Sequence, residues 1–153
     1  MGMPLSEENA DIIHYLLKII ARYEKFMKTA RNYGTDVPIH YSEIHMISAI
    51  AKNPGIHISG LAKHFGHTRG AVSEVVAKLE KKDLLVKEVD PENLSRLKLY
   101  LTKKGEGAHR EHRRYHGMVN DLILKILKGM PPGHVEAIRT FLQGLSEGLS
   151  SIL

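Results

Sequence analysis

The stretch of residues 58–102 constrains the fold of this chain more than any other. It opens with a short run of helical spacing that ends at Gly66. A second helical run begins after Thr68 and carries apolar residues with the 3.6-residue period of an amphipathic helix. Two runs typical of β-strands follow, at 84–89 and 97–101, and a polar tip joins them. Helix, tight turn, helix and hairpin in this order predict a winged helix-turn-helix.

The remaining chain is predicted to be helical on both sides of this unit. Apolar residues recur at helical spacing in 6–31, where Ser6 is the expected N-cap, and in the last part of the chain. We therefore expect a mainly α protein with a small β-wing. It would form one domain over residues 1–153, with a DNA-binding part at 41–104. The apolar stripes of 6–31 and 118–153 exceed what one small winged domain can cover, so these helices are predicted to form a homodimer.

Composition narrows the class of partner. The chain has 153 residues, 42% of them hydrophobic, and a formal net charge of +5, which favours an anionic partner. It has no cysteine, which agrees with a cytoplasmic location. No apolar run approaches the roughly 18–20 residues of a membrane span, and the polar N-terminus does not resemble a signal peptide. We expect no membrane partner.

The second helix of the predicted motif supplies the candidate DNA-reading residues, because a helix of this kind fits the major groove. Arg69 can donate two hydrogen bonds to guanine, and Glu74 either accepts from cytosine or orients Arg69. Gly70 allows a close approach of the backbone, and the wing supplies cations for phosphate. The predicted DNA-binding set is Thr68, Arg69, Gly70, Ser73, Glu74, Lys78, Arg96 and Lys98.

Three of the ten histidines fall on one helical stripe. His109, His112 and His116 follow each other at spacings of three and four residues. The four-residue spacing of His112 and His116 is that of two imidazoles sharing one metal ion on a helix. Such a pair supplies two ligands, so the others must come from elsewhere in the fold. The same stripe is rich in arginine, and a solvated basic face is the alternative interpretation.

The combined order of these features resembles the MarR family of transcription regulators over nearly the whole chain. The resemblance rests on the long first helix, on ISGLAKHFGHTRGAVSEVVAKLEKKDLL, on the wing entry Asp90-Pro91, and on LTKKG at the start of the next helix. It implies a homodimer that binds a palindromic operator in double-stranded DNA and responds to a small effector. The wing departs from the family pattern, because the usual basic position falls on Ser95 and Arg96 comes one residue later.

One branch of the family consists of zinc-responsive repressors of metal uptake, and the chain is similar to it at the histidines. Members of that branch bind metal through a Glu on the first helix, a His on the second and an HxxxH pair early in the fifth. The resemblance implies Zn²⁺ ligands at Glu24, His45, His112 and His116. A second site that includes a cysteine in some relatives is absent or rebuilt here.

Two other effector hypotheses stay open at this stage. The same DNA-binding role can respond to a phenolic or drug-like organic effector between stem and winged domain, or to no effector. An enzyme is the third class, since two histidines and a carboxylate resemble an open zinc hydrolase site. That class is disfavoured because no general base is placed beside the pair, as such motifs require.

Overall fold

The computed structural model describes residues 9–152, apart from the side chain of Met27. The predicted N-cap Ser6 lies outside the described residues. Over this range the chain is mainly helical with one small antiparallel sheet, which confirms the predicted fold class. The elements are α1 Ala10–Lys28, α2 Tyr41–Lys52, β1 Ile56–His57, α3 Ile58–Phe65, α4 Arg69–Lys81, β2 Leu85–Asp90, β3 Asn93–Leu101, α5 Lys103–Lys128 and α6 Pro132–Ile152.

Local capping fixes where the helices of the winged part begin and end. The backbone N–H of His40 donates to Glu43 Oε2 at 2.7 Å, which closes a capping box at the start of α2. Helix α3 ends at Gly66, whose φ of 64° lies in the left-handed region that glycine adopts without steric cost. Thr102 Oγ1 accepts from Gly105 N at 3.1 Å and caps α5. These short-range signals explain why the helix-turn-helix was readable from the sequence.

The sheet has the strand order β1-β3-β2, and both pairings are antiparallel. Strand β3 begins at Asn93, so the predicted polar tip is much shorter than expected. The reason is local: Asp90 Oδ1 accepts from Glu92 N at 3.1 Å, which folds a tight turn that pairs Asp90 with Asn93. Strand β1 pairs Ile56 with Leu99. It was not predicted, because two residues carry no periodicity.

A compact apolar core lies under the helix-turn-helix and the hairpin. Helices α2, α3 and α4 and the sheet each contribute side chains that are 0 or 1% exposed: Ile44, Ile47, Ile50, Leu61, Val72, Val76, Leu79, Leu84, Leu85 and Leu99. Burial of this many branched side chains is the main stabilising term for such a unit. The core fixes the orientation of α4, whose outer face stays in solvent.

Gly105 marks the closest approach between α5 and the start of the hairpin. A Cβ atom at this position would lie 2.0 Å from the backbone oxygen of Leu84. The same carbonyl accepts from Thr102 N at 3.2 Å, and Thr102 Oγ1 donates to Asp83 O at 2.7 Å. Glycine is therefore required for α5 to begin against the backbone of residues 83 and 84.

The chain divides into two units, Met1–His112 and Arg113–Leu153. The first contains the winged part and its core. In the second, none of residues 113–152 is buried. Its apolar side chains include Leu122, Ile123 and Ile126, which are about half exposed. No helix within residues 9–152 combines the length and apolar character needed to cross a membrane.

Candidate nucleic-acid interface and candidate metal centre

Helix α4 presents its polar face to solvent from a firmly capped start. Thr68 Oγ1 accepts from Ala71 N at 3.2 Å, and Val72, Val76 and Leu79 anchor the opposite face in the core. Ala71, although apolar, is exposed. The helical residues of the predicted reading set and their cap are all exposed: Thr68, Arg69, Gly70, Ser73, Glu74 and Lys78.

The start of α4 and the wing share one cleft. A cavity of about 260 Å³ is lined by Arg69 and Arg96, by Ser59 and Ser95, and by three further residues: His57, Ile58 and Leu97. Two guanidinium groups with hydroxyl donors form a set that suits phosphate oxygens and base edges. Arg96 therefore lies beside the recognition helix even though it stands one residue after the usual basic position of the wing.

A buried carboxylate ties the wing to the helix-turn-helix. Asp90 is 4% exposed, its Oδ2 lies 3.2 Å from His57 Nε2, and its Oδ1 lies 3.1 Å from Lys98 Nζ. Burial opposes ionisation of Asp90, but hydrogen bonds from Lys98 and from Glu92 N–H outweigh it and hold the pKa of this carboxyl below its usual value. His57 Nδ1 lies 3.0 Å from Leu97 O. The network joins the N-cap of α3 to both strands of the hairpin.

Lys98 has a structural partner in addition to its predicted role. The hydrogen bond to Asp90 raises the pKa of Lys98 above its usual value, and the side chain is only 27% exposed. Its ammonium group neutralises the buried carboxylate of Asp90. The predicted phosphate contact of Lys98 stays a prediction, whereas Arg69 and Arg96 both line the cleft.

The far end of α4 is held by a second ion pair. Lys82 Nζ lies 2.7 Å from both carboxylate oxygens of Glu43 and 2.7 Å from Pro38 O. Glu43 is 3% exposed and also closes the capping box of α2. The end of the recognition helix is thus fixed to the start of α2.

The candidate metal centre is a group of three imidazoles. His45, His112 and His116 each offer one ligand atom, and these atoms lie within 4.8 Å of one another. The rings of His45 and His112 meet edge to face with centroids 5.1 Å apart, and His116 follows His112 by four residues in the same helix. Zinc binds imidazole nitrogen at about 2.0–2.1 Å in a tetrahedron. Three imidazole nitrogens grouped this closely are a donor set that suits zinc.

His112 is held by its neighbours inside the first unit. It is 7% exposed, and its ring packs edge to face on Tyr33 at a centroid distance of 5.6 Å. Ser48 Oγ lies 3.1 Å from His112 Nδ1. Ser48 thus lies against Nδ1, and Nε2 is the ring nitrogen that faces away from this contact.

Glu24, the predicted fourth ligand, lies outside the group of three histidines. Its side chain is 63% exposed, and Oε2 lies 3.7 Å from Lys28 Nζ. An exposed pair of this kind contributes little to stability and does not fix the carboxylate. The structure thus brings together three of the four predicted ligands.

Several residues that shape these sites were not identified from the sequence. Ser48 carries no motif, and its position against His112 depends on the packing of α2 against α5. The pairing of His57 with Asp90 depends on the two-residue strand β1. Lys82 pairs with Glu43, 39 residues away, and the Lys81-Lys82 sequence gives no sign of that partner.

Comparison with known proteins agrees with this architecture. The sequence profile of the MarR family matches residues 37–93. A protein of Thauera aromatica described as a transcriptional regulatory protein for the hcr operon is 28% identical over 117 residues, which is 70% of this chain and 69% of the relative. FabT of Streptococcus pneumoniae, solved in complex with DNA, superposes with a TM-score of 0.65 at 26% identity and covers 94% of this chain and 98% of its own.

A further structural neighbour is ZitR of Lactococcus lactis, a zinc-responsive MarR family member. It superposes with a TM-score of 0.72 over 91% of this chain and 97% of its own, at 16% identity. That identity supports the fold alone. The matched profile, the regulatory relatives and the winged helix-turn-helix with its exposed recognition helix lead to one assignment: residues 37–93 match the MarR family, and the chain is a MarR-type, DNA-binding transcription regulator.

Proposed function

We propose that this regulator binds a palindromic operator as a homodimer in the cytoplasm and responds to zinc. The observation that carries the DNA-binding part is the cleft shared by Arg69 and Arg96, at the start of a capped and exposed recognition helix. In a two-fold dimer, two such helices would read half-sites about one DNA turn apart. The net charge of +5 favours the encounter with DNA.

Substitution of Arg69 tests whether this face reads bases. Arg69→Ala is expected to cost about 1–3 kcal/mol on the cognate operator and to relax the preference at one base pair per half-site. Arg139→Ala, which removes an exposed arginine of α6, is the matched control and should leave binding unchanged. Fluorescence anisotropy with specific and random duplexes makes the measurement. If the variant weakens binding to both duplexes equally, Arg69 contacts phosphate and does not read a base.

Support for dimerisation comes from apolar side chains that the single chain leaves in solvent. They lie on α1, on the second half of α5 and on α6: Ile12, Leu17, Ile19, Ile20, Val119, Leu122, Ile123, Ile126, Phe141, Leu142 and Leu149 are 45–63% exposed. Helix faces with this many exposed apolar side chains are typical of an interface. A second copy is the partner that supplies matching surfaces through two-fold symmetry. Sedimentation at micromolar concentration tests this, and a well-folded monomer would contradict it.

Support for zinc comes from the three clustered imidazoles and from the likeness in fold to the zinc-responsive Lactococcus lactis protein. His45, His112 and His116 would supply three nitrogen ligands, and Glu24 stays the predicted fourth. Bound zinc would link α2 to α5 at these side chains. A ligand that favours one spacing of the recognition helices shifts the population toward it and so changes operator affinity.

The zinc hypothesis is tested by equilibrium dialysis against a competing zinc indicator. His112→Ala with His116→Ala should abolish tight binding and any zinc dependence of operator affinity, while folding is retained. His134→Ala, outside the group, is the control. Glu24→Gln should weaken binding less than the double variant does. A double variant that binds zinc as tightly as the parent would contradict the proposed site. The histidine stripe would then be interpreted as a solvated basic face.

An organic effector is the second candidate function, and one cavity favours it. A mainly apolar cavity of about 560 Å³ lies among α2, α3 and α4, lined by Tyr41, His45, Met46, Phe65 and Val75 among others. Its size and lining suit a small aromatic ligand. Burial, together with neighbouring Tyr23, raises the pKa of Tyr41, so its phenol stays a neutral hydrogen-bond donor. Calorimetric titration with phenolic acids in the presence of a chelator separates this effector from zinc.

A further inference from the structure

We infer that Ser48 is a positioning residue for the metal centre: it holds His112 in the tautomer that binds a metal ion through Nε2. The inference rests on the proposed zinc function and names a part of the site that no ligand motif contains. Ser48 is half-buried on α2, and its Oγ lies 3.1 Å from His112 Nδ1. His112 itself is 7% exposed and packs on Tyr33, which limits the rotation of its ring.

The chemistry of neutral imidazole makes this contact decisive. A neutral ring carries one proton, and only the nitrogen without the proton has a lone pair for a metal. When His112 Nδ1–H donates to Ser48 Oγ, Nε2 is left with its lone pair. If instead the hydroxyl donates to Nδ1, the proton lies on Nε2 and blocks coordination there. The direction of one hydrogen bond therefore decides whether His112 is a ligand.

A third side chain gives the Ser48 hydroxyl an acceptor when the hydrogen bond runs in the metal-binding direction. His109 Nδ1 lies 3.2 Å from Ser48 Oγ. A hydroxyl has one proton and can accept as well as donate. With its proton donated to His109 Nδ1, Ser48 Oγ accepts from His112 Nδ1–H. In the chain His112 Nδ1–H, Ser48 Oγ–H, His109 Nδ1, each proton has an acceptor, and His112 Nε2 keeps the lone pair that would bind a metal ion.

Contacts of this kind orient metal-binding histidines, and their loss typically lowers metal affinity about 10–100-fold. Ser48→Ala removes the acceptor and should lower zinc affinity by that factor. Alanine has the highest helix propensity, so α2 is expected to stay folded. Ser48→Thr retains the hydroxyl and should keep affinity within about threefold of the parent. Ser146→Ala, on α6, is the control for the loss of a serine elsewhere.

The test combines zinc affinity with the protonation of the ring. Affinities come from competition with a zinc indicator, and thermal melts verify the fold of each variant. Nitrogen-15 NMR of the imidazoles in the zinc-loaded parent should show His112 with a proton on Nδ1 and metal on Nε2, a readout that a merely structural serine would not move. Zinc bound through Nδ1, or equal affinities of Ser48→Ala and the parent, overturns the positioning role alone. A parent that binds no zinc overturns the proposed zinc function together with it.

Discussion

The winged part of this chain buries its apolar side chains, whereas the terminal helices leave theirs exposed. In the winged part, ten apolar side chains are at most 1% exposed within one chain. In α6 no residue is buried, and in α5 the buried residues end at His112. The contrast teaches that a single chain completes the core of the winged part, whereas the terminal helices leave apolar faces in solvent, where the proposed dimer would cover them.

The largest expected effect concerns the uncovered faces. Leu122→Ser combined with Ile126→Ser removes two apolar side chains that lie one turn apart on α5. Each contributes about 1.5–3 kcal/mol when buried, and a two-fold dimer loses every contribution twice. The dimer dissociation constant should rise at least about a thousandfold. Sedimentation equilibrium measures it.

Leu94→Ser is the control for that experiment, because Leu94 is 80% exposed at the wing. It removes a comparable apolar side chain and should leave the dissociation constant unchanged. If Leu94→Ser raised the dissociation constant by the same factor, the terminal helices would not be the specific site of dimerisation.

The next effect concerns the closed core. Leu79→Ala removes a side chain that is 0% exposed, and we expect the free energy of unfolding to fall by about 2–5 kcal/mol. Because the neighbours of Leu79 in the winged core belong to the same chain, the loss should not depend on protein concentration. Urea unfolding at two concentrations makes the comparison. A loss that disappears at high concentration would show that this core also needs a partner.

A smaller effect, with opposite signs at neighbouring glycines, tests the junction between α5 and the hairpin. Gly105→Ala places a Cβ against Leu84 O and should destabilise the protein by about 1–3 kcal/mol. At Gly107 the nearest atom to an added Cβ is Arg110 Nη2 at 3.7 Å, which is an ordinary contact. Gly107→Ala should therefore stabilise the helix by about 0.5–1 kcal/mol. Destabilisation of equal size at both positions would contradict the close approach at Gly105.

The smallest effect depends on pH. The pKa of Asp90 lies below its ordinary value of 3.8 in the folded protein, so the carboxylate adds stability above that value. This stability is lost as the pH falls through the folded pKa. Asp90→Asn should lower Tm at neutral pH, and the difference from the parent should shrink toward about pH 3.

Asp36→Asn is the matched control for the pH experiment. The hydrogen bond from Lys104 also lowers the pKa of Asp36, but that side chain is 78% exposed. An exposed pair contributes little, so its variant should change Tm less than Asp90→Asn does. Equal shifts would show that the Asp90 network does not stabilise the wing.

The sequence predicted what local signals encode and failed where distant residues meet. Thr68, Gly66 and Thr102 mark helix ends through caps, and α5 begins within LTKKG as the sequence indicates. The hairpin was placed correctly, but its turn was predicted to be too long. The hydrogen bond from Glu92 N to Asp90 Oδ1 that tightens it leaves no pattern in the sequence. His112 and His116 were readable from their spacing on one helix. His45 entered through the resemblance, and Ser48 could not be predicted because only the packing of α2 on α5 brings it to His112.

The way α4 is held has a consequence for engineering new operator specificities. Its anchors are Val72, Val76 and Leu79 in the core and the Lys82–Glu43 pair at its end. The side chains at 69, 73 and 74 take no part in those contacts and stand in solvent. A library randomised at these positions should therefore keep the fold of nearly every member, since substitutions at exposed sites rarely change stability by more than about 0.5 kcal/mol. Selection for new operators could then act on base recognition with little penalty from misfolded variants.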